Sequence, residues 1–172
     1  MRSAFYTYGH YWDRYGAPNA TTFHAFASEQ IAGFRNCTAA GHSTFTCALY
    51  LESLSQDLED IFFHCDQLLR GMYAIWLHLW LSFFPRESFL LIKSEDLFAA
   101  PQQVLRGIFA HLGLAEPSHE QWQQILSASN PRKAGAGQDM LVQTRQLVAD
   151  FYEPFNRDLA DMLQDRKWLW QA

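Results

Sequence analysis

Residues 89–101 read FLLIKSEDLFAAP, and this stretch decides which kind of fold the chain can adopt. An uninterrupted apolar run, Phe89–Ile92, stops at a lysine, and two acids and then a proline follow. A continuous apolar run is typical of a strand that is covered on both faces in a parallel sheet. Pro101 suits the first turn of a helix. The join therefore predicts a strand, a turn and a helix at the edge of a parallel sheet.

Most of the remaining sequence has helical periodicity. Helices are predicted where apolar residues keep helical spacing, over residues 21–34, 66–84, 101–112 and 140–163. The second of these is apolar around most of its circumference, so it should be buried on nearly all sides. Gly71 inside it costs roughly 1 kcal/mol relative to Ala, which favours a close approach of another backbone there. Pro154 should kink or divide the last helix.

Particular residues mark the ends of the predicted helices. Thr22 is the predicted cap of the first, and Gly113 should end the helix that begins at Pro101. Ser118 and Gln121 have the spacing of a capping box for one more helix. Polar loops are expected over residues 36–48 and 129–138. With 172 residues and 49% apolar content, the sequence predicts a single helix-dominated α/β domain over residues 1–172.

Charge and cysteine content exclude several classes of function. The net charge of −5 argues against a nucleic-acid-binding surface, which needs a basic excess. The spacing of the three cysteines does not indicate a zinc site. Cys37 and Cys47 bracket a polar stretch and could close a small loop, or all three cysteines, including Cys65, could be buried free thiols. Sequons at Asn19 and Asn36 fit a lumenal surface.

The N-terminal residues MRSAFYTYGHYW resemble neither a signal peptide nor a membrane anchor. The densest apolar run, Gly71–Phe84, falls short of the ~20 residues that span a bilayer. As written, the chain is expected to have no route of its own into a secretory compartment.

Residues 68–114 carry a resemblance to a known family. They contain, in order, a Gly-x-Tyr helix at Gly71, the apolar run, a Glu-Asp-Leu turn at Glu95, a proline-led helix and a closing Leu-Gly-Leu at Leu112. This order resembles the C-terminal half of the Golgi carbohydrate sulfotransferases, and the tail DFYEPFNRDLADML at residues 150–163 is similar to the closing helix of that family. Within the family, the branch of N-acetylgalactosamine 4-sulfate 6-O-sulfotransferases is the most similar.

The resemblance implies a fold and an activity. It implies the C-terminal portion of a P-loop-type sulfotransferase fold with an incomplete parallel sheet. The family transfers a sulfo group from 3′-phosphoadenosine 5′-phosphosulfate (PAPS), without a metal, to a carbohydrate hydroxyl. The acceptor implied is glycosaminoglycan-like and could itself be sulfated. The sequence contains no Gly-rich Lys-Ser/Thr loop, so the phosphate-loop region is absent and the chain is expected to be inactive by itself. The alternative is a non-catalytic remnant or interaction module.

Three residues are implied to bind the nucleotide. Ser3 matches a family serine that meets the 3′-phosphate at the start of a helix, although it could equally be a frayed terminal residue. Arg132 and Lys133 match a late basic loop, Arg through its planar fork and Lys as a point charge. A solvated basic turn is the alternative for this pair. No catalytic residue is assigned.

Two further residues, Arg70 and Tyr73, match positions that line the acceptor cleft of the family, although Tyr73 could equally pack in the core. His78 lies on a polar stripe, and a satisfied core histidine is the favoured interpretation. Glu95 and Asp96 are adjacent and cannot face each other across a glycosidic bond, so they are expected to shape the turn and to do no chemistry.

The family's compartment also bears on the cysteines. The resemblance favours a Cys37–Cys47 disulfide in an oxidising lumen. It also implies that the full-length family member is located in the Golgi, where it could be anchored in the membrane.

Overall fold

The computed structural model describes residues 5, 10–54, 67–127 and 140–170, and this part of the chain is dominated by helices. The helices are α1 His10–Tyr15, α2 Ala20–Ala39, α3 Thr44–Leu54, α4 Tyr73–Leu81, α5 Ser94–Ala99, α6 Pro101–His111, α7 His119–Ser127 and α8 Val142–Leu163. Short 3₁₀ turns lie at Arg86–Ser88 and Arg166–Trp168. The chain divides into two compact units, Met1–Trp80 with Gly135–Ala172, and Leu81–Ala134. The single domain over residues 1–172 stays a prediction.

The predicted strand does not form among the described residues. The backbone at Phe89 and Lys93 is extended, but residues 89–93 belong to no sheet ladder in the described part of the chain. Leu90 and Ile92 are exposed. A strand exists only through hydrogen bonds to a neighbouring strand, so an apolar, extended segment without one remains a coil. The helix-dominated prediction is confirmed, and the buried strand is wrong for this structure.

The main core of the first unit lies between α2, α3, α4 and α8. Its buried members are Ile31, Phe34, Cys37, Cys47, Ala48, Leu68, Leu69, Met72, Ile75 and Phe151. Cys37 and Cys47 form a disulfide within this core, with Cα atoms 6.0 Å apart. The disulfide that the resemblance implied is therefore present, and it joins α2 to α3. Cys65 lies outside the described residues.

Helix α2 begins earlier and ends later than predicted. Its N-cap is Asn19, whose side chain accepts hydrogen bonds from the amides of Thr21 and Thr22. The Thr22 hydroxyl in turn accepts a hydrogen bond from the Asn19 amide, so Thr22 completes the capping box and is not itself the cap. The predicted loop over 36–48 shrinks to residues 40–43, because the buried half-cystines at both ends belong to helices.

The predicted long helix over residues 66–84 is interrupted at Gly71. Residues 70–72 form a turn, and α4 starts at Tyr73. The Tyr152 ring of α8 fills the space beside Gly71, and its hydroxyl donates to the Leu68 carbonyl at 2.7 Å. The close approach at Gly71 is therefore made by a side chain, whereas the sequence predicted a backbone. Burial on nearly all sides is also wrong, since Tyr73 and Trp80 are half exposed.

Local signals place two helices of the second unit, α6 and α7, correctly, whereas α5 forms where the sequence predicted a turn. Pro101 occupies the first turn of α6, and Gly113 follows its end with a φ of 66°. The amides of Gly113 and Leu114 bond back to the carbonyls of Ala110 and Phe109, which is a Schellman motif. The capping box of α7 is confirmed: the Ser118 amide donates to the Gln121 side chain at 2.8 Å, and the reciprocal bond is 3.3 Å.

Helix α8 is continuous through Pro154, contrary to the prediction that this proline could divide it. The aromatic residues on either side of the proline, Phe151 and Phe155, both contact the ring of Phe34 edge-on, at 5.6 and 6.3 Å between centroids. A proline inside a helix removes one backbone hydrogen bond, and its ring clashes with the carbonyl four residues earlier; together these cost about 3 kcal/mol. Packing of this face against α2 offsets that cost.

Candidate functional site

A second core in the first unit brings together parts of the chain that are distant in sequence. We call it the aromatic cluster: Phe5, Tyr11, Phe23 and Phe26 are buried in it, and Tyr15 and Met140 pack against it. The indole of Trp12 donates to the Phe5 carbonyl at 3.1 Å and fixes the backbone there. Phe5 and Met140, which are far apart in sequence, therefore lie in one packed group.

The resemblance implied three nucleotide-binding residues in segments that precede Phe5 and Met140 in the sequence. Ser3, Arg132 and Lys133 themselves lie outside the described residues, so their roles stay predictions. Ser3 is two positions before Phe5, and Lys133, in the predicted loop over residues 129–138, is seven positions before Met140.

A polar network holds α1 against α2 beside the cluster. Tyr15 donates to Glu29 at 2.6 Å, Arg14 forms an ion pair with the same carboxylate, and Gln30 donates to the Tyr15 hydroxyl at 3.3 Å. Burial, together with the hydrogen bond to Glu29, raises the pKa of Tyr15 above its ordinary value. Tyr15 is therefore a neutral donor at physiological pH, and it orients the short helix that carries Trp12.

The start of α8 is tied to α2 by a contact that sequence reasoning missed. His24 Nδ1 lies 2.8 Å from the hydroxyl of Thr144, the third residue of α8, and Thr144 is fully buried. Leu141 occupies the N-cap without a side-chain hydrogen bond. The first turn of α8 is thus positioned beside the aromatic cluster. No local signal could have paired two residues that lie 120 positions apart.

The predicted acceptor-binding residues lie at the start of α4. Arg70 is exposed in the turn before the helix, and the Tyr73 side chain is half exposed. The Tyr73 ring lies 5.9 Å from the ring of Trp170. Core packing, the alternative for Tyr73, does not describe this environment. A role in acceptor binding stays a prediction for both residues.

His78 is not a core histidine. Its imidazole is exposed and lies 3.3 Å from the carboxylate of Asp158 on α8. The interpretation as a buried, satisfied histidine is therefore wrong, because α4 is packed over only part of its circumference. Glu95 and Asp96 lie in the first turn of α5, where the positive end of the helix dipole stabilises their negative charges.

The described residues include a cavity of about 610 Å³ at the end of α8, near Asp161, Gln164 and Arg166. Its lining mixes acidic and basic side chains, so it does not select an anionic ligand. Within residues 5, 10–54, 67–127 and 140–170, no group of three or more His, Cys, Asp or Glu side chains could hold a metal ion. Across the same ranges, no helix is both long and apolar enough to cross a membrane.

Comparison with known proteins identifies relatives. The chain is similar to carbohydrate sulfotransferase 15 of Homo sapiens, with 28% identity over 159 residues, which is 90% of this chain and 27% of that protein. The protein of the same name from Rattus norvegicus gives the same identity and coverage. That of Nototodarus sloanii is 30% identical over 93 residues, 52% of this chain and 58% of the relative.

The chain thus spans about a quarter of the length of the mammalian relatives it matches. The resemblance to carbohydrate sulfotransferases that the sequence predicted is confirmed. No protein-family model matches the chain, and no solved structure matches it.

Proposed function

We propose that this relative of carbohydrate sulfotransferases carries the C-terminal elements of an enzyme that transfers a sulfo group from PAPS to a hydroxyl of a glycosaminoglycan-like carbohydrate. The similarity covers nine-tenths of the chain and supports the class of reaction. The donor, the acceptor and the activity of the whole enzyme are part of the proposal. A Golgi lumen, where a disulfide such as Cys37–Cys47 is stable, is the proposed compartment.

The observation that carries the proposal is the similarity over nine-tenths of the chain, and the packing in the aromatic cluster is consistent with it. Phe5 and Met140 belong to one packed group, and each flanks a segment that the resemblance assigns to the nucleotide. A ligand with two separate anionic groups, such as PAPS, needs cations and hydroxyl donors from separate segments at one place. The similarity over nine-tenths of the chain is why we favour the transferase over a remnant.

The proposed roles follow from the chemistry of each side chain. Arg132 would grip a phosphate through its planar fork, Lys133 would act as a point charge, and Ser3 would donate its hydroxyl. The first turn of α8, whose N-cap has no side-chain hydrogen bond, would add backbone donors and the positive end of a helix. When bound, PAPS supplies the sulfo group, and these cations would stabilise the bisphosphate that departs. A general base remains unassigned.

The test is calorimetry of the full chain with adenosine 3′,5′-bisphosphate. We expect saturable binding, and we expect Arg132→Ala and Lys133→Ala each to weaken it about 10-fold or more, the usual value of a hydrogen bond to a charged group. Arg35→Ala is the matched control, since Arg35 is an exposed cation on α2. The absence of binding, or equal losses in the control and the two variants, would count against the proposal.

A second candidate function is an interaction module without catalysis. It is favoured by the large apolar side chains that the second unit exposes, above all Phe83, Phe98 and Leu112, whose exposed fractions are 73%, 64% and 61%. Light scattering alongside the calorimetry separates the two candidates. Self-association that Phe98→Ser abolishes, in a chain that does not bind the nucleotide, would favour the module.

A further inference from the structure

The two sequons lie at opposite ends of α2. One is Asn19, which is followed by Thr21, and the other is Asn36, which is followed by Thr38. Asn19 is the N-cap of the helix, whereas Asn36 belongs to its last turn. The two asparagine side chains differ in exposure and in hydrogen bonding, and this difference separates a modification site from a structural residue.

The side chain of Asn19 is occupied by the fold. Its oxygen accepts hydrogen bonds from the amides of Thr21 and Thr22 at 2.8 and 2.9 Å. Its nitrogen donates to the Ala17 carbonyl at 3.1 Å, so the atom that would carry a glycan is already engaged. Asparagine is among the best N-cap residues, and capping therefore accounts for this asparagine without a modification.

The side chain of Asn36 has no comparable task. Asn36 is exposed, and its amide group makes no side-chain hydrogen bond within the part of the chain that the structure describes. Asparagine is less favourable than alanine inside a helix, so helix formation does not account for it either. The exposed residues three and four positions away on the same helix face are Ala32, Ala39 and Ala40. Methyl-sized neighbours leave room around the amide nitrogen for a bulky substituent.

We propose that Asn36 carries an N-linked glycan and that Asn19 does not. This inference rests on the lumenal compartment of the proposed function and concerns a modification, not the reaction. In the transfer, Nδ2 of Asn36 attacks the anomeric carbon of an oligosaccharide that is linked to a lipid diphosphate. A C–N bond forms as the C–O bond to the diphosphate breaks. The diphosphate leaves with the electron pair, and a base takes one amide proton.

The transfer has to precede folding of this end of α2. Cys37, the middle residue of the sequon, is buried and bonded to Cys47. The Thr38 hydroxyl donates to the Arg35 carbonyl at 2.9 Å. A sequon is recognised through its asparagine and its hydroxyl together, and in the folded helix the hydroxyl is already engaged. Once attached, the glycan projects from an exposed helix face and displaces no core residue.

The test expresses the full chain behind a cleavable signal peptide that directs it into the lumen of the endoplasmic reticulum of cultured animal cells. Peptide-N-glycosidase F converts a glycosylated asparagine to aspartate, and heavy-oxygen water marks the converted residue. Mass spectrometry of the total cell extract then locates the mark, so a variant that folds poorly is still counted. We expect the mark at Asn36 alone, together with a single step in electrophoretic mobility.

Matched threonine variants make the test specific. Thr38→Ala should abolish the mobility step, whereas Thr38→Ser should retain it, because a serine hydroxyl still completes the sequon. Thr21→Ala is the control: it removes the sequon of Asn19 but keeps the backbone amide that the cap uses, so the step should not change. Cys47→Ser prevents the disulfide and leaves the sequon intact, so occupancy of Asn36 should equal or exceed that of the wild type.

Several outcomes would overturn the inference. One is a glycan that persists in Thr38→Ala, and another is a step that disappears in Thr21→Ala. A third is a wild-type chain that has lost its signal peptide, and so has entered the lumen, but carries no glycan. Lower occupancy in Cys47→Ser would contradict transfer before folding. If an unglycosylated wild type binds adenosine 3′,5′-bisphosphate, this inference fails while the proposed function stands. A glycosylated chain that does not bind the nucleotide would count against the proposed function alone.

Discussion

Replacing Gly71 by alanine tests the packing that divides the predicted long helix. An alanine Cβ at this position would lie 2.7 Å from two ring carbons and the hydroxyl oxygen of Tyr152. Ordinary contact begins near 3.4 Å, so the ring would have to retreat by about 0.7 Å. The retreat would also strain the hydrogen bond from Tyr152 to the Leu68 carbonyl. The backbone itself can accept alanine, because Gly71 does not have a positive φ.

These contributions set the expected size of the effect. Overpacking costs about 1–3 kcal/mol, and the strained hydrogen bond costs about 0.5–1.5 kcal/mol. The reduced entropy of the unfolded chain offsets about 0.4–1 kcal/mol. We therefore expect Gly71→Ala to lower the free energy of unfolding by about 2 kcal/mol, measured by urea denaturation followed by circular dichroism. For a chain of this size, the melting temperature should fall by roughly 4–8 °C.

Two comparisons make the test specific. In a Tyr152→Ala background the ring is gone, so Gly71→Ala should become neutral or stabilise by about 0.5–1 kcal/mol. Gly107, in the middle of α6, has no atom within 4 Å of a built Cβ, so Gly107→Ala should stabilise by up to about 1 kcal/mol. The reasoning is refuted if Gly71→Ala costs the same with and without the Tyr152 ring, or if it stabilises the wild type.

Further predictions concern titration, the disulfide and a helix end. Because the pKa of Tyr15 is raised on folding, the contribution of Tyr15 to stability is complete below pH ~10 and declines above that pH, by at most about 1.4 kcal/mol per pH unit. Tyr15→Phe should flatten this decline in alkaline denaturation curves. An unchanged slope would contradict the assignment. Replacing Cys37 and Cys47 together by alanine should cost about 3 kcal/mol, from the 10-residue separation that the disulfide spans; thermal unfolding measures the loss, and an unchanged midpoint would argue against the bond. Gly113→Ala should cost about 1–2 kcal/mol in the same assay, because its φ of 66° disfavours a Cβ, and a stabilising effect would contradict the Schellman motif.

The sequence predicted well those features that depend on a few neighbouring residues. Pro101 starts α6 and Gly113 ends it, because a fixed φ and a missing Cβ act within one turn of the chain. The capping box of Ser118 and Gln121 is likewise complete within four residues. The family resemblance is also a property of residue order, and it needed no coordinates.

Contacts between distant segments decided the rest. A strand requires a partner, so the apolar run at Phe89 could not become one by its own composition. The packing of Tyr152 beside Gly71 likewise joins segments that are distant in sequence. The approach of Phe5 to Met140, and that of His24 to Thr144, depend on how α1, α2 and α8 pack. Local order determined where helices start and stop, whereas burial between helices determined which side chains share a surface, because close packing depends on every neighbour at once.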